Sequence, residues 1–335
     1  MKRIAILGGG SWGTALSIVL SRAHKPQEIS LWIRDPALAE SIQRTRENRL
    51  YLPGHKVLET VRVTHDAAAA LDSADIVVGA IPAAHARGVY QCVLPHLPHG
   101  AAIVSATKGL EPTTHARMSE VISQIAPAGF SRCIAVLSGP SFAAEVAAGQ
   151  PTAVVVAAND LALATELQEE FAGSAFRLYT NQDVLGVELA GAMKNVIAIA
   201  AGACQGLGLG SNPLAALITR GLAEMTRLAV ALGAPQETLS GLAGLGDLVL
   251  TCTGALSRNR HVGMELGKGQ PLGEILRRMN HMVAEGVDTA AALLALAGEA
   301  GIEMPITEQV NAILHQGKSP REAIRNIMER PLKSE

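Results

Sequence analysis

Two residues of opposite charge each stand alone in a long uncharged stretch, and both side chains can hold or transfer a proton. Lys194 is the only charged residue in positions 189–219, and Asp247 is the only one in positions 239–257. Burying an ammonium or a carboxylate is costly unless an opposite charge, a bound ion or a proton-transfer role compensates for it. We therefore predict that Lys194 is a reactive group and that Asp247 is its partner. A lysine whose stem packs on the core while its head reaches water is the alternative.

A short polar run after Asp247 could bind a phosphate group. Ser257-Arg258-Asn259 directly precedes a segment with helical periodicity. A hydroxyl, a guanidinium and an amide are thus combined with the N–H groups of a helix N-terminus, and all four favour an anion. We predict a phosphate site here; the alternative is a helix-capping residue beside a surface arginine.

Two other segments could contact the same small molecule. Lys108 follows a predicted strand, at the carboxyl edge where open α/β sheets bind their ligands. It is a candidate electrophile or anion contact, and a surface loop lysine is the alternative. Ser138-Gly139-Pro140-Ser141 is a second strand-to-helix turn, whose small residues would let backbone N–H groups approach a ligand. A simple turn explains that segment equally well.

The N-terminus carries a glycine pattern typical of dinucleotide-binding proteins. Gly8, Gly10 and Gly13 form a GxGxxG motif directly after the predicted strand Arg3–Leu7 and directly before a helical run. The first glycine permits a tight turn, the second lets the backbone approach a pyrophosphate, and the third lets helix and strand pack closely. The motif therefore predicts dinucleotide binding; a glycine turn in another kind of α/β protein is the alternative.

The end of the second predicted strand bears on the choice of nucleotide. An acidic residue there normally binds the ribose hydroxyls of NAD. This chain has Arg34 followed by Asp35. Because an arginine can face a 2′-phosphate or stack on adenine, NADP is allowed as well as NAD. A solvated charge pair that opens the next helix is the alternative for Asp35.

The elements that position these residues change in type halfway along the chain. Up to about residue 180, short β-rich runs alternate with helical patterns, and several runs are apolar throughout, as in strands covered on both faces. The predicted strands are Arg3–Leu7, Ile29–Ile33, Ile76–Ala80, Ala101–Ser105, Cys133–Leu137, Thr152–Ala158 and Phe176–Thr180. We expect a doubly wound α/β domain over residues 1–182 and an all-α domain over residues 183–335, with a helix cap at 180–183.

Composition excludes several classes of function. The net charge of −2 and the 3% aromatic content argue against nucleic-acid binding, because they provide neither a basic surface nor stacking platforms. The apolar stretch around Lys194 is broken by glycines and by Ser211-Asn212-Pro213, so we predict no membrane insertion. The four cysteines are scattered without any CxxC spacing, which is typical of reduced thiols and predicts a cytoplasmic location. His96 and His99 are the only close histidine pair, in a segment with proline, and no metal site is predicted.

Motifs along the whole chain resemble those of the bacterial NAD(P)-dependent glycerol-3-phosphate dehydrogenases. They are GGGSWGTALS, NRLYLPGH, ATKGLE, SGPSFAAEVAAGQPTA, AGAMKNVIAIAAG, LITRGLAEM, GLAGLGDLVLTCTGALSRNR and VAEGVDTA. The resemblance implies a Rossmann-like N-terminal domain and a helical domain similar to that of 6-phosphogluconate dehydrogenases. It also implies NAD or NADP as cofactor, sn-glycerol 3-phosphate and dihydroxyacetone phosphate as the phosphorylated substrates, and a place in glycerophospholipid synthesis. The apolar character of the helical half separately predicts a homodimer formed through that domain.

The resemblance also assigns roles. Lys194 would be the general base, Lys108 would contact both cofactor and substrate, and Asp247 would complete the catalytic group. Lys194 and Asp247 would also bind the substrate. The other substrate-binding residues would be Gly139, Ser141, Ser257, Arg258 and Asn259. The nucleotide would contact Gly8, Gly10, Ser11, Trp12, Gly13, Arg34, Ala143, Arg258, Val283 and Glu285. The chain departs from the family pattern at Ala83, Gln205 and Ser211, which bear on loop closure and on the nicotinamide contacts.

Two other functions are compatible with this pattern. Another two-domain hydroxyacid or hydroxyacyl dehydrogenase would need a carboxylate or thioester site in place of Ser257-Arg258-Asn259. A nucleotide-sensing protein that binds NAD(P)H without chemistry would have no use for Lys194 and Asp247. Activity with dihydroxyacetone phosphate separates all three.

Overall fold

The computed structural model describes residues 1–126, 133–279 and 282–332, which form two compact units. Unit 1 comprises Met1–Glu111 and Ala116–Glu188, and unit 2 comprises Pro112–His115 and Leu189–Glu335. The division falls after Glu188, within a long helix, whereas the sequence pattern predicts a boundary after residue 182.

Unit 1 is built on an eight-stranded sheet of order β3-β2-β1-β4-β5-β6-β7-β8. The strands are β1 (Lys2–Leu7), β2 (Gln27–Trp32), β3 (Val61–Thr64), β4 (Ile76–Gly79), β5 (Ala102–Ser105), β6 (Ile134–Ser138), β7 (Thr152–Ala158) and β8 (Phe176–Asn181). All neighbours are parallel except β6 and β7. The predicted parallel α/β domain is confirmed. The prediction missed β3, because a four-residue edge strand carries too short a pattern to stand out.

Helices cover both faces of this sheet. They are α1 (Ser11–Leu20), α2 (Pro36–Thr45), α3 (Ala67–Leu71), α4 (Ala83–Val93), α5 (Met118–Ile125), α6 (Ala143–Ala147) and α7 (Leu161–Phe171). Alternate residues of β1 enter different cores: Ile4 and Ile6 pack with α1, α2, α6 and α7, while Ala5 and Leu7 pack with α3, α4 and α5. This two-sided burial explains why the strands are apolar throughout.

The strand order determines where a ligand can bind. The chain runs outward from β1 to β3 and then returns to place β4 on the other side of β1. The carboxyl ends of strands beside such a reversal form the usual ligand crevice of open α/β sheets. The glycine motif follows β1 at this edge, and the segments containing Lys108 and Gly139 follow the adjacent parallel strands β5 and β6.

Unit 2 is helical throughout its described residues, as predicted. Its elements are α8 (Val184–Gly206), which begins in unit 1, then α9 (Ser211–Ala231), α10 (Gln236–Ser240), α11 (Asp247–Thr253), α12 (Arg258–Gly267), α13 (Leu272–Arg278), α14 (Gly286–Ala300), α15 (Pro305–His315) and α16 (Pro320–Met328). The expected cap of α8 is present, because the carboxylate of Asp183 accepts a hydrogen bond from the Gly186 N–H at 2.8 Å.

Helix α8 is the one described helix that is long and apolar enough to cross a membrane, by length and composition alone. In the structure 89% of its most apolar window is buried inside the protein. A buried core helix meets the same criteria as a membrane span, so this feature is only weak support for a membrane role.

Candidate active site

The glycine turn after β1 has the geometry that its motif requires. Gly8 has a φ of +119°, and a Cβ atom there would lie 2.5 Å from the carbonyl oxygen of Ala80. A Cβ on Gly13 would collide with the carbonyl oxygen of Gly8, whereas a Cβ on Gly10 would meet no described protein atom within 4 Å. Two of the three glycines are thus required by packing, and the third leaves its surface open toward the start of α1. These residues fit a pyrophosphate at the helix N-terminus.

The residues beside this turn also suit a polar ligand. The first turn of α1 contains no acidic residue to compete for the helix N-terminus. Among the described atoms, the buried indole N–H of Trp12 has no hydrogen-bond partner, and a buried donor is normally satisfied. Arg34 is exposed just after β2. The carboxylate of Asp35 accepts from the Ala37 N–H at 2.9 Å and caps α2, so the helix-opening alternative holds for Asp35.

Lys108 is joined directly to the turn that follows β6. Its ammonium group donates to the Gly139 carbonyl at 2.7 Å and to the Ser141 hydroxyl at 3.4 Å. Gly139 has a φ of +120°, a backbone conformation that residues other than glycine rarely adopt. Ala143 begins α6 shortly after this turn. Three residues with predicted substrate contacts therefore form one cluster in unit 1, with Lys108 half-buried rather than on a free surface loop.

In unit 2, Lys194 and Asp247 form the ion pair that their isolation predicts. The Lys194 ammonium lies 2.5 Å from a carboxylate oxygen of Asp247, and the two side chains are 7% and 1% exposed. The ammonium also donates to the Thr251 hydroxyl at 3.0 Å, and that hydroxyl donates to the Asp247 carbonyl at 2.6 Å. The lysine head group is thus held by two oxygen atoms away from water.

A glycine-rich turn places Asp247 at the start of its helix. Residues Leu242–Gly246 form a single wide π-helical turn, and a Cβ on Gly244 would collide with the Leu239 carbonyl. Such turns are rare and are frequent at functional sites. Thr251 follows Asp247 by one helical turn, on the same face of α11. Sequence reasoning missed Thr251, although a threonine four residues after an isolated aspartate in an apolar helix is a usable signal.

Asn259 connects the predicted phosphate site with two other helices of unit 2. Its amide donates to the side-chain oxygen of Asn195 at 2.9 Å and accepts from the Gly286 N–H at 2.9 Å. Asn195 directly follows Lys194, and Gly286 directly follows Glu285. Sequence reasoning missed Asn195, because a polar residue next to a lysine carries no distinctive pattern.

The other predicted residues of unit 2 lie at helix starts. The hydroxyl oxygen of the buried Ser257 accepts a hydrogen bond from the Arg260 N–H at 3.2 Å and caps α12. The sequence alternative of a helix-capping residue therefore holds for Ser257. Arg258 begins that helix and is half-buried. Glu285 is half-buried directly before α14, and Val283 is exposed two residues earlier.

A thiol beside the ion pair is kept neutral. Burial raises the pKa of Cys252 to about 12, although the charge of Lys194 acts in the opposite direction. A neutral thiol is a weak nucleophile. The chemistry of this part of unit 2 therefore rests on Lys194 and its oxygen partners.

Comparison with known proteins agrees with this geometry. Residues 3–164 match the family described as NAD-dependent glycerol-3-phosphate dehydrogenase N-terminus, and residues 183–325 match its C-terminus. The glycerol-3-phosphate dehydrogenase [NAD(P)+] of Koribacter versatilis is 54% identical over 335 residues, which is 100% of this chain and 99% of that protein. This chain belongs to the NAD-dependent glycerol-3-phosphate dehydrogenase family. The resemblance drawn from its motifs is confirmed.

Solved structures place the chain within that family's fold. The crystal structure of glycerol-3-phosphate dehydrogenase from Coxiella burnetii has a TM-score of 0.92 and 42% identity, covering 98% of this chain and 99% of that one. A ketopantoate reductase from Ralstonia eutropha has a TM-score of 0.62 at 16% identity, covering 96% and 99%. The second likeness shows that the general fold extends beyond the glycerol-3-phosphate dehydrogenases.

Proposed function

We propose that this protein catalyses the reversible, NAD(P)-dependent interconversion of sn-glycerol 3-phosphate and dihydroxyacetone phosphate. The observation that carries the proposal is the buried Lys194–Asp247 pair, held by Thr251, in a chain of the glycerol-3-phosphate dehydrogenase family. A nucleotide sensor without chemistry would gain nothing from such a costly pair.

The cofactor would be held by the glycine turn and the first turn of α1. Gly8, Gly10 and Gly13 with Ser11 and Trp12 fit this role, because the surface of Gly10 is open and the Trp12 indole has a donor to offer. Arg34 is compatible with either NAD or NADP. The further nucleotide contacts proposed from the family resemblance are Lys108, Ala143, Arg258, Val283 and Glu285. When bound, the dinucleotide supplies or accepts the hydride at the C2 position of the substrate.

Lys194 would transfer the proton that accompanies this hydride. In the reducing direction its ammonium donates a proton to the developing C2 alkoxide, and in the oxidising direction its neutral amine removes the hydroxyl proton. Asp247 and Thr251 fix the direction of the amine through contacts of 2.5 and 3.0 Å. The side chain is therefore oriented before substrate binds, which lowers the entropic cost of the proton transfer.

The remaining residues would hold the substrate. Lys108 would stabilise negative charge on the C2 oxygen, with Gly139 and Ser141 beside it. Ser257, Arg258 and Asn259 would bind the phosphate through a hydroxyl, a guanidinium and the N-terminus of α12. Because the phosphate is remote from the reacting carbon, its binding energy can be used to orient that carbon.

A substrate panel tests this proposal. Initial rates are measured with the full-length protein, first with dihydroxyacetone phosphate and NADH or NADPH, and then with 2-keto acids and unphosphorylated dihydroxyacetone. Of these compounds, we expect only dihydroxyacetone phosphate to support rapid oxidation of the nucleotide. Turnover only with a keto acid would favour the other two-domain dehydrogenases, and nucleotide binding without any turnover would favour a sensor.

We also propose a homodimer formed through unit 2, a cytoplasmic location and a role in supplying glycerol phosphate for lipid synthesis. Large apolar side chains of unit 2 that are at least 39% exposed support the dimer, and they include Leu209, Val230, Val249 and Leu256. The molar mass in solution, measured by light scattering after size-exclusion chromatography, tests it. The 34.8 kDa mass of a single chain would contradict the dimer.

A further inference from the structure

The motif NRLYLPGH contains a fully buried polar residue that the proposed mechanism does not use. Asn48 lies between α2 and β3 and has no solvent exposure. Its side-chain N–H groups donate to the Gly9 carbonyl and to the Thr14 hydroxyl, both at 2.8 Å, and its side-chain oxygen accepts from the Tyr51 N–H at 3.1 Å. The amide thus reaches the glycine turn from a segment far along the chain.

These contacts control the direction of a backbone N–H group in the turn. The carbonyl of Gly9 and the N–H of Gly10 belong to one planar trans peptide unit, in which they point in opposite directions. When Asn48 holds the Gly9 carbonyl, it therefore also fixes the Gly10 N–H. Gly10 is the glycine whose surface is open, since a Cβ there would meet no described protein atom within 4 Å.

The turn needs such a restraint because it contains three consecutive glycines. Glycine has the greatest backbone freedom of any residue, and ordering Gly8, Gly9 and Gly10 carries a correspondingly large entropic cost. Thr14, the second partner of Asn48, is fully buried in α1. The amide therefore ties the flexible turn to the helix whose N-terminus follows it.

We infer that Asn48 is a positioning residue that sets the glycine turn for the diphosphate of the dinucleotide. The inference rests on the proposed placement of the dinucleotide at Gly8–Gly13. Asn48 acts from behind the turn, on the carbonyl side of the Gly9–Gly10 peptide. Its neutral amide suits this position, because a carboxylate would repel both the Gly9 carbonyl and a bound diphosphate.

A purely structural role for Asn48 makes a different prediction. Asn48 also orders its own segment, through the Tyr51 N–H and through its carbonyl, which accepts from the Leu52 N–H at 2.8 Å. If that were its whole role, substitution would lower stability without changing nucleotide affinity in the folded protein. The dissociation constants of NADH and NADPH therefore distinguish the two roles.

The test measures those constants by nucleotide fluorescence with the full-length wild-type protein and with Asn48→Ala and Asn48→Asp. For Asn48→Ala we expect both constants to rise on the order of tenfold, as for the loss of an oriented hydrogen-bonded group. Asn48→Asp should raise them further, because it keeps the acceptor for Tyr51 but loses both donors and adds a negative charge. The kcat at saturating nucleotide and the KM for dihydroxyacetone phosphate should stay within about twofold of the wild type.

Two control variants make the outcome specific. Gln168→Ala removes a half-buried amide of unit 1 that donates to the Leu178 carbonyl at 2.8 Å, away from the glycine turn. It should leave nucleotide affinity unchanged. Gly10→Ala adds a methyl group that meets no described protein atom within 4 Å, so any loss of affinity reports a molecule bound against Gly10.

Weaker binding in both Asn48→Ala and Gly10→Ala supports the inference, whereas weaker binding in Asn48→Ala alone overturns its route through the Gly10 N–H. If Gly10→Ala weakens binding and Asn48→Ala does not, the inference about Asn48 is overturned and the placement of the dinucleotide stands. If neither variant weakens binding, the placement itself is wrong. Should Asn48→Ala not fold, Thr14→Val decides, since it removes one of the two acceptors that orient the amide. A rise of about threefold or more then supports the inference, and an unchanged constant overturns it.

Discussion

At the scale of single residues, the proposed chemistry depends on two charges that solvent barely reaches. The side chains of Lys194 and Asp247 are 7% and 1% exposed, and their charged atoms lie 2.5 Å apart. The Thr251 hydroxyl contacts both side chains. Each charge therefore depends on the other, and removing one partner leaves the other buried without compensation.

Replacing Lys194 with alanine should remove turnover and spare nucleotide binding. We expect kcat to fall by about 10²- to 10⁴-fold, the usual contribution of a positioned acid–base group, while the dissociation constant for NADPH changes little. Steady-state rates and fluorescence titration measure the two effects. As a control, Lys268→Ala removes a half-exposed ammonium paired with Glu265 in the same unit and should retain full activity. Near-normal turnover of Lys194→Ala would rule out the proposed proton transfer.

Two neighbours of Lys194 should differ in their effect on stability. Asp247→Ala leaves a buried ammonium without its counter-charge, and we expect the free energy of unfolding to fall by about 3–5 kcal/mol. Thr251→Val removes one neutral partner of similar shape, and because its hydrogen bond involves the charged ammonium we expect a smaller loss of about 1.5–3 kcal/mol. Urea unfolding followed by circular dichroism measures both values. Equal losses would mean that the carboxylate does not compensate the charge of Lys194.

Arg258 should act on the phosphate of the substrate. Because hydrogen bonds to charged groups are strong, Arg258→Ala should raise the KM for dihydroxyacetone phosphate by roughly 10- to 100-fold. The kcat/KM for the slow reaction with unphosphorylated dihydroxyacetone should change much less, because that molecule has no phosphate for Arg258 to bind. A similar loss of kcat/KM with both compounds would contradict the assignment.

At the scale of helices, glycines allow α12 to lie directly against α8. A Cβ on Gly202 or Gly206 would collide with the carbonyl of Arg260 or Met264, respectively, and a Cβ on Gly263 would collide with the Ile199 carbonyl. The two backbones are therefore in contact. This close approach brings Asn259, at the start of α12, within 2.9 Å of Asn195 on α8.

One added methyl group should disturb the close contact between α8 and α12, which we call the α8–α12 crossing. Gly263→Ala would force α12 away from the Ile199 carbonyl, and we expect a loss of about 1–3 kcal/mol in the free energy of unfolding, as for other overpacked sites. The KM for the phosphorylated substrate should rise as well, because Ser257, Arg258 and Asn259 move with the helix.

Gly298→Ala on α14 is the matched control for that substitution. A Cβ there meets no described atom within 4 Å, so the change should be neutral or stabilising by up to about 1 kcal/mol. Equal effects of the two substitutions, measured by urea unfolding, would show that the crossing is not tightly packed.

At the scale of the whole molecule, the nucleotide should stabilise the native state and protect unit 1 first. NADPH at 100 times its dissociation constant is expected to raise the free energy of unfolding by about 2.7 kcal/mol. Hydrogen exchange should slow in residues 8–14, where the glycine turn and α1 begin. Gly10→Ala should reduce both effects at the same NADPH concentration. Unchanged exchange across residues 8–14 on binding would contradict the placement of the nucleotide.

Much of this arrangement is predictable from the sequence, because its causes are local. Apolar runs bounded by turn residues predict seven of the eight strands, and the glycine spacing predicts the turn after β1. The pairing of Lys194 with Asp247 is predictable for a simpler reason. Each is an isolated charge in an apolar run, and burial of one requires the other. The helical structure of the second half is predictable from the 3.6-residue periodicity of its apolar residues.

Other features were decided only by the tertiary structure. Strand direction carries no local signal, so nothing in the sequence of β7 indicates that it runs antiparallel to β6. Asn195 and Asn48 look like ordinary polar residues in the sequence, and the roles of these two residues and of Thr251 depend on partners brought close by folding. Asn48 meets Gly9 across 39 positions of the chain, and Lys194 meets Thr251 across 57. The sequence by itself determined which groups must be compensated when buried. The packing of the elements decided which atoms compensate them, because a hydrogen bond depends on distance and angle rather than on separation along the chain.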